Sequence, residues 1–242
     1  RTRALFEMAV DEDLIEARIY EMKGLAKHYD YPGMELYLPY IPHARMDRVK
    51  SDTDVFTLKY FAEVINSLNF KIVWVRDAHS NVSLALLDRV EDTGVEPYIH
   101  KATLASNAEV LFFPDEGAMK RYSDKSPLPY AFGMKKRDWT TGKILGLDII
   151  NAENIKDKNV LIVDDICSRG GTFYHSAKAL MEAGAKSVSL YVTHLEETVT
   201  FGDLSESDLI KHIYTTESIF PQMLIDGPYE GAGWGDWITV FH

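Results

Sequence analysis

The sequence predicts an α/β protein of two similar halves, each built on a doubly wound parallel sheet. Three observations predict it. Short apolar, β-branched runs alternate with segments whose apolar residues recur at helical spacing. The same rhythm returns in the second half, with a junction expected near Glu96–Asn107 and domains over 1–100 and 101–242. Finally, 46% hydrophobic residues in a chain of 242 supply enough apolar material for a proper core in two small domains or one large one.

Each element has its own warrant. Glu12 to His28 reads as a helix, because Leu14, Ile15, Ile19, Met22 and Leu25 fall on one face. Met34 to Tyr40 is a short strand, stopped by Pro39 and Pro42. Val55 to Leu68 is helical again, and Phe70 to Val75 is an apolar, β-branched strand. In the second half Val110 to Phe113 is a strand ending at Pro114, and Tyr130 to Gly133 another. Val160 to Val163 is a buried strand, Thr172 to Ala183 a helix closed by Gly184, and Ser187 to Thr193 a strand. After Ser218 glycine and proline are frequent, and only Trp237 to Phe241 reads as a strand.

Composition removes several classes of function. A net charge of −11 argues against long nucleic acid as a partner, since neutralising phosphates needs a basic face. No run approaches the roughly 20 apolar residues that span a bilayer, and no signal-peptide pattern opens the chain. The one cysteine, Cys167, excludes an internal disulfide framework and fits a reducing compartment. A soluble, cytoplasmic protein with no membrane partner is expected.

The segment Val160-Leu161-Ile162-Val163-Asp164-Asp165-Ile166-Cys167-Ser168-Arg169-Gly170-Gly171-Thr172 carries the functional reading. An apolar strand ends in two adjacent carboxylates, and a short loop with paired glycines then opens a helix. Glycines let the backbone approach a ligand closely, and a helix N-terminus offers unpaired N–H groups to a phosphate. Two carboxylates at the C-terminal edge of a parallel strand can accept hydrogen bonds from vicinal sugar hydroxyls. A ribose 5-phosphate group requires that combination. A Walker A loop is absent from the sequence.

This segment resembles the ribosyl phosphate-binding signature shared by phosphoribosyltransferases and ribose-phosphate pyrophosphokinases. The resemblance implies type I phosphoribosyltransferase-like domains, with Asp164 and Asp165 on the ribose hydroxyls. It puts Ser168, Arg169, Gly170, Gly171 and Thr172 around the 5-phosphate. Further segments are similar to the pyrophosphokinases in particular. Pro39 to Arg48 resembles that family's Pro-Tyr-x-x-Tyr-Ala-Arg-Gln-Asp-Arg stretch, placing Arg45, Asp47 and Arg48 at ATP. Asp77-Ala78-His79-Ser80 resembles Asp-Leu-His-Ser/Ala, whose histidine lies at the metal–ATP site. Phe113 to Arg121 resembles a Pro-Asp-x-Gly-x-x-x-Arg motif, with Asp115 near the metal and ribose. Lys135-Lys136-Arg137 resembles the Lys-x-Arg of a mobile catalytic loop, so Lys135 and Arg137 are the catalytic counterparts. Thr193-His194 also fits.

The resemblance therefore implies transfer of the diphosphoryl group of ATP to O1 of ribose 5-phosphate, with Mg²⁺ as cofactor, in a homo-oligomer, either dimer or hexamer. Any one segment has a bland reading. Lys135-Lys136-Arg137 alone is a solvated basic patch, and Arg45 and Arg48 alone are surface ion-pair partners. Their joint order favours function. A phosphoribosyltransferase, or a silent regulatory homologue, are the competing classes. The first leaves Arg45, Arg48, His79 and the Lys-x-Arg segment without purpose. The second does not explain why Lys135, Arg137, Asp115 and both loop aspartates are kept.

The departures are informative. The family's loop reads Asp-Thr-x-Gly-Thr, whereas here Ser168-Arg169-Gly170-Gly171-Thr172 loses a carboxylate and gains a guanidinium. Met46 stands where the family has Gln, and Ser51 to Phe56 replaces a stretch tied to regulation and assembly, which counts against nucleotide control and the hexamer. The extra cation at Arg169 suits a larger, more negative acceptor such as ADP-ribose. The chain also resembles a divergent branch linked to nicotinamide salvage, which includes phage versions.

Overall fold

The computed structural model describes residues 5–7, 21, 24, 25, 27, 28, 33–137, 144–221 and 234–242, with backbone alone at 5–7, 135–137 and 144–146. The helix expected over Glu12–His28 lies largely outside them. The chain divides into two compact units, Arg1–Gly94 and Val95–His242. The segment Glu96–Asn107, expected to join the halves, is a helix of the second unit. Among the described residues no helix is long and apolar enough to cross a membrane.

The first unit holds a four-stranded sheet in the order β1-β2-β3-β4. Its strands are β1 (Leu5–Glu7), β2 (Glu35–Leu38), β3 (Ile72–Val75) and β4 (Val90–Asp92), all parallel. Between them lie helices α1 (Thr57–Ser67) and α2 (Asn81–Leu86). Helix α1 forms because Leu58, Phe61, Ala62 and Ile65 recur every three to four residues, and that face is buried against Leu36, Leu38, Val73 and Val75. Burying a large side chain such as Leu58 or Ile65 contributes about 1.5–3 kcal/mol. The strands are shorter than the sequence predicts.

The second unit starts with α3 (Glu96–Ser106), entered through Pro97 and ended by Asn107 in the left-handed conformation. Strand β5 (Val110–Phe113) leads to α4 (Glu116–Tyr122), and the hairpin β6 (Tyr130–Arg137) and β7 (Ile144–Ile150) follows. Then come β8 (Asn159–Cys167), α5 (Gly171–Glu182), β9 (Ser187–Leu195), β10 (Ile213–Thr216) and β11 (Ile238–Phe241). The sheet order is β11-β10-β9-β8-β5-β6-β7, parallel except for the antiparallel pair β6 and β7. Its two faces are covered by separate apolar clusters, one including Phe173, Ala177 and Leu180 of α5, the other Ile99 of α3 and Tyr122 of α4. Central strands buried on both faces explain the unbroken run Val160–Val163.

Two differences from the sequence reading bear on the site. Strand β8 does not stop at Val163. It continues through both carboxylates to Cys167, because β9 keeps pairing beside it (Asp164 with Val192, Ile166 with His194, Cys167 with Leu195). Likewise β6 runs on to Arg137, so the backbone of Lys135, Lys136 and Arg137 belongs to a strand rather than a loop, with a register shift between Lys136 and Arg137.

Candidate active site

In the second unit the chain steps from β8 to β9, β10 and β11 on one side, and from β5 to β6 and β7 on the other. The order reverses between β5 and β8. In open α/β sheets the crevice outside the strand ends at such a point is where ligands bind. Three of the sequence's candidates lie there: Asp115 follows β5, and Asp164 and Asp165 lie toward the C-terminal end of β8.

The two carboxylates are bridged. One guanidinium nitrogen of Arg121 lies 2.8 Å from Oδ1 of Asp165 and 3.3 Å from Oδ1 of Asp164. The backbone N–H of Asp165 also donates to Asp164 Oδ1, at 2.9 Å. Burial pushes the Asp164 carboxyl well above the usual range, and the neighbouring Asp165 pushes it further, against the opposing pull of Arg121. Arg121 stood inside a motif quoted from the sequence, but nothing in the one-dimensional pattern gave it this partner 43 residues away.

After Cys167 the chain turns through Ser168 and Arg169 to Gly170, whose φ of +84° opens α5. A side chain there would also strike Leu204. Arg169 is exposed, Ser168 and Gly171 are half-buried, and Thr172 is exposed on the first turn of α5. No acidic residue of α5 sits in that first turn, but the Asp203 carboxylate lies beside Gly171 and shares the positive end of the helix with any bound anion. The loop is backed by a segment the sequence gave no reason to choose. The Glu196 N–H donates to the Cys167 carbonyl at 2.8 Å, Ser168 and Thr198 hydroxyls lie 3.1 Å apart, and Gly202 packs directly on the backbone of Arg169.

Asp115 is half-buried and caps α4, its Oδ1 accepting the Ala118 N–H at 3.0 Å. The side chains of Lys135 and Arg137 lie outside the described residues, so only their backbone position on β6 is given.

The first unit gathers the other candidates. Asp47 is buried and binds Arg48 through both carboxylate oxygens, at 2.6 and 2.8 Å, while the Ser80 hydroxyl donates to it at 2.9 Å. Arg48 and Ser80 hold the Asp47 carboxyl below the ordinary range against its burial, with His79 adding to the pull. His79 is half-buried and follows Asp77, whose φ of +51° is held by Asp92 accepting the N–H groups of Asp77 and Ala78 at 3.3 Å each. Arg45, Arg48 and Lys50 border a recess of about 440 Å³ that the Asp54 carboxylate also lines, with Thr53 and Thr57. The two arginines expected at ATP thus share one cavity with a third cation.

Residues 114–211 match the phosphoribosyl transferase domain family. Across 195 residues the chain is 28% identical to the ribose-phosphate pyrophosphokinase of Pyrococcus abyssi, covering 76% of this chain and 64% of that one. To the same enzyme of Saccharolobus solfataricus it is 29% identical over 65% of this chain and 56% of the other. The chain is a relative of the ribose-phosphate pyrophosphokinases. It spans less than two thirds of the length of both proteins. The crystal structure of phosphoribosylpyrophosphate synthetase from Mycobacterium smegmatis superposes with a TM-score of 0.73 at 19% identity, over 99% of this chain and 78% of that one, which establishes the fold.

Proposed function

We propose that the protein is an ATP-dependent pyrophosphokinase that moves the β,γ-diphosphate of ATP to the anomeric hydroxyl of ribose 5-phosphate, giving the ribosyl diphosphate and AMP. The observation that carries this reading is the bridged Asp164–Asp165 pair leading into the Gly170–Gly171 helix entry at the sheet's reversal point. The name of the relatives agrees with it.

The bond that forms joins O1 of the sugar to the β-phosphorus. The bond that breaks joins the β-phosphorus to the bridging oxygen, which leaves with AMP; the O1 proton passes to solvent. Such a transfer depends on positioning and charge stabilisation. Asp164 and Asp165 would hold the ribose diol, and Ser168, Arg169, Gly170, Gly171 and Thr172 the 5-phosphate. Arg45 and Arg48, with Asp47 fixing Arg48, would receive ATP phosphates together with His79. Lys135 and Arg137 would neutralise charge on the transferring group. Among the described residues no group of three or more His, Cys, Asp or Glu side chains is arranged to hold a metal. Mg²⁺ takes one or two protein oxygens and completes its shell with waters and substrate phosphates. Asp115 would hold it, with His79 at a phosphate or a metal-bound water, and the ion would neutralise the diphosphate when bound.

A second reading rests on Arg169. Its backbone is pinned by Gly202 while its side chain is exposed at the 5-phosphate end of the loop. A guanidinium on that loop would suit the diphosphate of ADP-ribose, the acceptor implied by the resemblance to a nicotinamide-salvage branch. Incubation with Mg²⁺, ATP and either acceptor separates the readings. AMP and a ribosyl diphosphate from ribose 5-phosphate are expected. AMP with ADP-ribose alone would move the assignment to the second acceptor, and no AMP with either would remove the pyrophosphokinase reading. Lys135→Ala is expected to lower kcat by about 100-fold or more with the melting temperature unchanged. Unaltered AMP release would sink its catalytic role.

A further inference from the structure

We propose that Arg121 is a positioning residue for the acceptor sugar, holding Asp164 and Asp165 as a preset pair of hydrogen-bond acceptors for its vicinal hydroxyls. The proposal rests on the reading of these carboxylates as the ribose-binding pair.

Two adjacent carboxylates do not keep a diol-binding geometry unaided. Their mutual repulsion drives them apart or onto a shared proton, and either outcome removes an acceptor. Hydrogen bonding between the Asp164 and Asp165 side chains adds to the protonating tendency here. A single cation on the edge of both opposes it. Arg121 supplies that cation with one nitrogen, 2.8 Å from Asp165 and 3.3 Å from Asp164.

The guanidinium is itself held in place. Its carbon lies 5.0 Å from the centroid of the Tyr122 ring, and Tyr122 is 2% exposed in the core cluster with Phe113, Leu161 and Val163. A ring fixed by the core on one side and carboxylates on the edge leave the fork little freedom, so little is lost when the sugar arrives. Arg121 also lies in the last turn of α4, where a cation is favoured, and that helix is capped by Asp115. One seven-residue helix therefore joins the candidate metal ligand to the clamp on the sugar site. A Lys at 121 would carry the charge but not the planar fork.

The test compares the full-length protein with Arg121→Ala and Arg121→Lys, measuring binding of ribose 5-phosphate, ADP-ribose and ATP by calorimetry and AMP release at steady state. Loss of a charge-assisted contact predicts an acceptor Kd and KM about 10- to 100-fold higher in Arg121→Ala, with kcat falling less than KM rises. Arg121→Lys falls between, ATP binding stays within about twofold, and millimolar guanidinium partly restores acceptor binding to Arg121→Ala alone. A purely structural residue would weaken ATP and acceptor together and would not respond to guanidinium. Unchanged acceptor affinity in a folded variant overturns the proposal, as does an equal loss for ATP. Should Arg121→Ala not fold, Arg121→Gln, which keeps much of the side chain but not the charge, decides, and acceptor affinity equal to wild type overturns the clamp. Wild-type protein that binds an acceptor but releases no AMP would end the pyrophosphokinase reading, while the binding comparison still decides on Arg121. Wild-type protein that binds neither acceptor overturns the clamp as well.

Discussion

Asp164 and Asp165, proposed above to bind the acceptor sugar, carry a cost to folding. Burial and the neighbouring carboxylate raise the Asp164 pKa from its ordinary 3.8. Between that value and the raised one, the folded chain binds more protons than the unfolded chain. The dependence of stability on pH is therefore negative in that window: the contribution is fully present below about pH 4 and is lost as pH rises through the folded value. At neutral pH the raised carboxyl therefore leaves the native state less stable than an unshifted one would. Asp164→Asn removes that penalty while leaving Asp165 its contact to Arg121. Its melting temperature is expected to rise by about 2 °C or more at pH 7, with the gain shrinking toward pH 4. Acceptor affinity should fall about tenfold or more in the same protein. Calorimetric scans across pH check the first half, and a fall in melting temperature at pH 7 would contradict it.

At the level of elements, the loop Ser168–Gly171 owes its shape to the chain behind it. Gly202 has a φ of −101°, open to any residue, so conformation does not explain a glycine there. Contact does: a Cβ at this position would overlap the backbone of Arg169. Gly202→Ala must therefore displace either Ser168–Gly170 or the 196–204 segment. Overpacking of this kind costs about 1–3 kcal/mol of stability. The acceptor KM is expected to rise about tenfold with ATP binding unaffected, and unchanged acceptor kinetics would show that the segment gives way instead. The loop's layout was legible in sequence because carboxylates, glycines and the helix start are consecutive. Its support was not, since Gly202, Thr198 and Leu204 reach it only through tertiary packing from some 30 residues on. The same division holds elsewhere. Strands buried on both faces, such as Val110–Phe113, were found from their apolar runs. The continuation of β8 through Asp164 to Cys167 was missed because pairing with β9, rather than composition, sustains it. The short β4 and the amphipathically weak α3 lacked a period strong enough to read.

On the scale of the whole molecule, the alternation of strands and helices sufficed for the α/β class, but strand order was beyond it, and strand order is what brings Asp115 and Asp164 to one reversal point. The two units also divide the proposed labour. The cations expected at ATP, Arg45 and Arg48, belong to Arg1–Gly94, while the carboxylates and loop proposed for the sugar belong to Val95–His242. Each unit carries its own buried cluster: Leu36, Leu38, Phe61 and Val75 in the first, and the two clusters flanking the seven-stranded sheet in the second. A sheet covered on both faces meets the condition for independent folding. Residues 95–242 alone are therefore expected to unfold in one cooperative transition and to bind ribose 5-phosphate within about threefold of the full chain, while losing ATP binding and AMP release. Calorimetry on the isolated unit reads all of these. Retained ATP affinity would move the nucleotide site into the second unit and detach Arg45 and Arg48 from it. Loss of sugar-phosphate binding in a folded unit would mean that the Asp164–Asp165 site is incomplete without the first ninety-four residues.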